Sequence, residues 1–179
     1  AWYFGRYVSH LPLSQEMVLM NRSWYNRAGV ERVMGFCSDG EYENFMISVV
    51  PFEQLLIGSG MQIYKYYLDI SKDEQKSRLE DRRVDPLKQW KSSPIDDVAV
   101  EHWDDYSAAR DEMFARTHTE TAPWYVVKAD HKKTARLNII RHLMSLVECP
   151  DKDEHTAKPD PAIVFPFHAR HLHDNSLAP

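Results

Sequence analysis

The stretch NRSWYNRAGVERVMGFC, Asn21 to Cys37, sets three arginines, Arg22, Arg27 and Arg32, against one acid, Glu31. Cations at that density suit anions, because a planar guanidinium can grip two phosphate or carboxylate oxygens at once. The stretch directly follows a short apolar run, Met17 to Met20, so these arginines are expected at the end of a strand. A second basic concentration lies further on. From Lys72 to Arg83 only Leu79 is apolar, while Lys72, Lys76, Arg78, Arg82 and Arg83 are partly matched by Asp73, Glu74, Glu80 and Asp81. A helix polar all round is not held by a core. With Asp85-Pro86, Lys88, Trp90 and Lys91 beyond it, the segment 72–93 reads as a solvated, hinged arm. On charge content alone, an exposed helix whose charges are merely solvated explains it equally well.

Other chemical candidates carry less. His168, His171 and His173 lie close together, but no cysteine or acid stands beside them at ligand spacing. Tyr64, Tyr66 and Tyr67 fit a core strand better than a base-stacking platform. Trp24 and Tyr25 either shape an anion channel or wedge the arginine-rich loop onto the core, and Asp104, Asp105, Asp111 and Glu112 fit the wet face of a helix.

The elements that must position these residues belong to one globular domain, since 179 residues at 43% hydrophobic content suffice for a core. A net charge of -5 excludes a protein that coats nucleic acid or an anionic membrane through bulk charge, so an anion site must be local. Two cysteines, Cys37 and Cys149, form neither a disulfide framework nor a metal spacing. Reduced thiols imply a cytoplasmic address, and no apolar run of about 18 residues or signal peptide argues otherwise.

Along the chain, Trp2, Tyr3, Phe4, Tyr7, Val8 and Leu11 recur at helical spacing from the first residue, so the chain is expected to be a fragment opening inside a helix. Glu16 to Met20 reads as a strand. A helix over Glu41 to Leu56 should be kinked or restarted by Pro51. Met61 to Ile70 reads as a strand, and Ser71 with Glu74 matches a capping box opening the basic helix. Ser93, Pro94 and Asp96 specify the start of a helix running to about Arg116; Trp124 to Lys128 reads as a strand; Asp130 should cap a last helix containing Ile139 and Leu143. Residues 1–149 thus form the domain, and Pro150 to Pro179 is a tail or surface-hugging arm. Strands alternating with helices predict an α/β layer fold with a parallel sheet, which binds ligands at the carboxyl ends of its strands.

Three blocks carry a resemblance. Asn21 to Cys37, RRVDPLKQWKSSPID at Arg82 to Asp96, and APWYVVKADHKKTARLNIIRHL at Ala122 to Leu143 resemble the polyphosphate kinase 2 family, in the family's order and spacing from about Trp2 to Val147. The resemblance implies a three-layer P-loop kinase fold similar to thymidylate kinase, with a helical lid over residues 72–93. It implies magnesium-dependent phosphoryl transfer between inorganic polyphosphate and a nucleoside diphosphate, ADP or GDP, in either direction, by an oligomer. Carried over by position, Asn21 matches the Walker B residue that holds magnesium, and Arg22 the arginine beside it that contacts phosphates. Asn26 and Arg27 fall in the same nucleotide-binding block, and Arg82, Lys88 and Lys91 match the basic lid.

Two departures accompany the resemblance. No Gly-x-x-x-x-Gly-Lys-Ser/Thr pattern occurs in the 179 residues, so the phosphate-cradling loop and its strand are expected from an amino-terminal segment or companion chain. Asparagine also stands at position 21, where the diphosphate-using branch usually has aspartate, and a neutral amide adds no charge to a hard dication. Two further functions are therefore weighed: a catalytically impaired subunit that binds polyphosphate or completes an oligomer, and a conventional nucleotide kinase.

Overall fold

The computed structural model describes residues 2–91, 98, 100–148, 150–153 and 155–179. Its helices are α1 (Gly5–Val8), α2 (Val30–Val33), α3 (Asp39–Gly58), α4 (Lys72–Val84), α5 (Trp103–Thr117) and α6 (Lys132–Leu146), and its strands are β1 (Lys65–Asp69), β2 (Trp124–Lys128) and β3 (Val164–Pro166). Short 3-10 turns span Trp24–Arg27, Gln89–Lys91 and Ala169–Leu172.

The strands form one sheet in the order β1-β2-β3. β1 and β2 are parallel, with Lys65 opposite Trp124 and Asp69 opposite Lys128. β3 runs antiparallel to β2, with Val127 opposite Val164, so the sheet is mixed rather than wholly parallel. The aromatic and β-branched sequence of β2 suits burial on both faces. Val126 joins the main core with Phe45, Val49, Phe52 and Phe114 of α3 and α5, whereas its neighbour Val127 joins Ala135 and Ile139 of α6. Successive residues pointing to opposite faces thus place α3 and α5 on one side of the sheet and α6 on the other, an α/β/α sandwich.

Several elements depart from the sequence reading. Residues 16–20 form no strand; Met17 and Leu19 are 70% and 90% exposed, because no strand among the described residues lies beside them to take their backbone bonds. The opening helix is only one turn long, though Phe4 is buried against Phe45 and Phe52. α3 continues through Pro51 without restarting, with Pro51 exposed while Tyr42, Phe45, Met46, Val49 and Phe52 are buried. A full capping box opens α3: Ser38 Oγ accepts from Glu41 N, and the Glu41 carboxylate accepts from Ser38 N at 2.9 Å, whereas at α4 only the Ser71 half forms. Asp130 does not cap α6, whose N-cap is His131; its carboxylate instead accepts from Ser71 N, at 2.8 Å, at the start of α4. The Ser93, Pro94 and Asp96 helix start and Cys149 lie outside the described residues. Residues 150–179 supply β3 and bury Phe167 and Leu177 in the main core.

Candidate functional site: a basic block and a basic arm

The block at 21–32 is held by its aromatic residues and presents a cation. Ser23 Oγ accepts from Tyr25 N and opens the 3-10 turn Trp24–Arg27, which points Trp24 and Tyr25 inward. Trp24 Nε1 donates to Glu53 Oε1 at 3.1 Å, and Lys65 Nζ donates to the Tyr25 hydroxyl at 3.2 Å. Lys65 Nζ also donates to Glu53 Oε2 and to the Thr117 carbonyl, both at 2.8 Å. Burial lowers the Lys65 pKa against the opposing pull of Glu53. Trp24 and Tyr25 are therefore a wedge onto α3, β1 and α5, not the lining of a channel.

This wedge leaves Asn21 and Arg22 exposed at the turn. Arg22 has φ +89°, a conformation that L side chains rarely adopt and that costs about 1–3 kcal/mol. Its charge acts on the hydroxyl of Tyr106 in α5, whose pKa burial nevertheless raises. Asn26 is half-buried, and its N–H donates to the Ser23 carbonyl at 3.0 Å. Arg27 turns inward: it is 8% exposed, bonds Glu31 at 2.7 Å and lies 4.0 Å from the centre of the Tyr3 ring. Arg32 pairs with Asp39 over the ring of Tyr42.

The arm carries the second group. Only Leu79 of α4 is buried, and Lys72 and Lys76 are exposed. Arg82 is half-buried near the last turn of α4. Lys88 follows the helix and is held by Asp81 Oδ2 at 3.0 Å and Asp85 Oδ2 at 3.2 Å, so an anion must compete with two carboxylates for it. Lys91 ends the turn Gln89–Lys91. The expected residues thus fall in two groups along the chain, one at 21–27 and one at 82–91.

A feature that the sequence reading does not single out lies at the carboxyl ends of β1 and β2. A cleft of about 410 Å³ there is lined by Asp69, Lys128, Asp130, Thr134, Leu177 and Ala178. Asp69, 3% exposed, accepts from Lys128 Nζ at 2.7 Å and from Ala178 N, while Arg110 Nη1 donates to the Ala178 carbonyl at 2.6 Å. The available signal was an acid and a base ending two strands that pair in register. Of the tail histidines, His171 is buried and structural, its Nδ1 accepting from His168 N at 3.2 Å, while His168 and His173 are exposed. Tyr66 and Tyr67 pack in the core against His142 and Phe114.

The residues present do not by themselves make a magnesium site. Among the described residues no group of three or more His, Cys, Asp or Glu is placed to hold a metal ion, and Asn21 offers one neutral oxygen. Among the described residues no helix is long and apolar enough to cross a membrane.

Solved structures of two polyphosphate kinases share this architecture. The putative polyphosphate kinase 2 from Pseudomonas aeruginosa PA01 matches with a TM-score of 0.74 at 34% identity, covering 79% of this chain and 30% of that one. Polyphosphate Kinase 2 from Arthrobacter aurescens TC1 matches with a TM-score of 0.73 at 35% identity, covering 84% and 56%. The class is therefore that of P-loop kinases. Residues 1–155 match the family described as Polyphosphate kinase 2 (PPK2), and the chain belongs to that family. Relatives include a GDP-polyphosphate phosphotransferase of Pseudomonas aeruginosa, 53% identical over 92% of this chain and 46% of its own length. An ADP-polyphosphate phosphotransferase of the same organism is 52% identical over 95% of this chain and 54% of its own length. The chain spans about half the length of the curated relatives it matches.

Proposed function

We propose that this chain forms the acceptor-side and lid portion of an enzyme that transfers a phosphoryl group between inorganic polyphosphate and a nucleoside diphosphate. The observation that carries this reading is identity of about one half, over nine-tenths of the chain, to relatives named for ADP and GDP as well as polyphosphate. Phosphoryl transfer asks the protein mainly for in-line positioning and neutralisation of negative charge. Arg22, exposed on a strained backbone, grips the transferring group. Arg82, Lys88 and Lys91 on the arm meet the polymer: guanidinium forks and ammonium point charges together suit repeating phosphates with no fixed register. Closure of the arm excludes water, which otherwise competes as acceptor.

Asn26 supports the nucleotide-binding block from its half-buried position, and Arg27 fixes the block's shape through Glu31. Asn21 lends at most one neutral oxygen to a magnesium ion, so no step is assigned to the metal through this chain. The domain over 1–149 with its tail, the cytoplasmic address, the homo-oligomer and an amino-terminal segment or companion chain supplying the phosphate-cradling loop belong to the same proposal. The test supplies the whole protein with polyphosphate and either ADP or GDP, and separately with ATP and a nucleoside monophosphate. Triphosphate formed only in the first arm supports the reading; phosphate moved only in the second makes the protein a conventional nucleotide kinase. Tight polyphosphate binding without turnover makes it a binding subunit.

A further inference from the structure

α4 cannot be held by a core, since Leu79 is its one buried residue, yet its root is fastened at two points to the loop that follows β2. The first point is the N-cap. Ser71 Oγ accepts from Glu74 N at 3.1 Å, and the backbone N–H of Ser71, which the side chain of Glu74 would take in a full capping box, donates instead to Asp130 Oδ1 at 2.8 Å. The second point is Arg78. Its Nη2 donates to the carbonyls of Ala129 at 2.6 Å and Asp130 at 3.1 Å, while Glu74 Oε1 accepts from its Nε at 2.6 Å and fixes the plane of the guanidinium. The receiving loop is itself part of the sheet edge: Ala129 N donates to the Asp69 carbonyl at 2.8 Å, and Lys128 N to the Ile163 carbonyl at 2.9 Å.

We propose that Arg78 and Asp130 are positioning residues which lock the first two turns of the arm to the carboxyl edge of the sheet, so that the cations at 82–91 move about a fixed root. The inference rests on the reading of the arm as a phosphate-binding lid. Arg78, one of five cations in α4, then serves the protein's own carbonyls and not a phosphate. The geometry also sets a requirement at position 130: an acceptor oxygen is needed there, and a negative charge is not. Hydrogen bonds of this kind orient a lid without touching the substrate, and residues that govern lid placement change KM and kcat together.

The experiment compares Asp130→Ala, Asp130→Asn and Arg78→Ala with the unaltered whole protein in two measurements. In hydrogen exchange, Asp130→Ala and Arg78→Ala should raise exchange of the amides from Ser71 to Arg78 about tenfold, each having lost bonds of ordinary strength, while Asp130→Asn stays near the unaltered rate. In steady-state assays with polyphosphate, the two alanine variants should raise KM for polyphosphate and lower kcat, each about fivefold to tenfold, and Asp130→Asn should restore both. Alanine variants with unchanged exchange, or an asparagine variant as damaged as the alanine one, would overturn the inference. If the unaltered protein transfers no phosphate, the functional reading fails, and the exchange measurement alone decides whether the root is fastened as described.

Discussion

Removing the Lys65 ammonium while keeping its methylene stem, by Lys65→Met, should be among the most damaging single changes in this chain. The Nζ atom donates to Glu53, Tyr25 and the Thr117 carbonyl, and the two charged side chains are 5% and 1% exposed. The substitution leaves the Glu53 carboxylate buried without its cation, held by neutral donors such as Trp24 Nε1. Breaking a buried ion pair from one side costs about 3–5 kcal/mol, because the surviving charge has lost both water and partner. For a protein of this size, that lowers the thermal midpoint by about 10 °C. The double variant Lys65→Met with Glu53→Gln removes the orphan charge but keeps an oxygen for Trp24, so it should recover more than half of the loss. Urea titration at pH 7 of the whole protein and its variants, with unchanged m values, measures both. A double variant no more stable than Lys65→Met would show that packing, and not the stranded carboxylate, sets the cost. The position of Arg22 depends on the same cluster, since it anchors Trp24 and Tyr25; phosphotransfer should therefore fall in the single variant and return in the double.

Arg22→Gly should relieve the backbone at φ +89° and leave stability unchanged or raised by about 1 kcal/mol, while phosphotransfer falls about 100-fold; a loss of both would remove Arg22 from the site. Asn21→Asp should tighten magnesium dependence and raise turnover, read as a lower metal concentration at half-maximal rate. Stability should decline as pH falls. Burial lowers the pKa of His118, His142 and His171, so the unfolded chain takes up protons first; stability is full above about 6.5 and is lost as pH drops toward the depressed folded values. His142→Gln should reduce that slope in thermal scans between about pH 7 and 5.

Local chemistry was legible where a residue's role depended on near neighbours. The strand Trp124–Lys128 follows from its aromatic and valine content, and α4 from Ser71 and its solvated charges. At 21–32 the sequence supplies three arginines against one acid, which is the ground for the anion site proposed there. What failed depended on distant partners. The run at 16–20 has strand composition but no strand beside it among the described residues. Asp130 looks like a cap for the helix just after it, yet it serves α4, 59 positions away. Arg27 is indistinguishable in sequence from Arg22, and only the fold shows one bound inward to Glu31 and the other facing water. Residues 164–166 are too short and proline-bounded to announce a strand, and they become one by pairing with the exposed edge of β2.

The most direct test of the central claim follows the phosphorus itself. The whole protein is incubated with long-chain polyphosphate and ADP or GDP, and nucleoside triphosphate is quantified against polyphosphate consumed, beside the Arg22→Ala variant. The account predicts triphosphate formed in step with the phosphoryl groups lost from the polymer, and a rate about 100-fold lower in the variant. Equal rates in both proteins, or no triphosphate from either diphosphate, would contradict it.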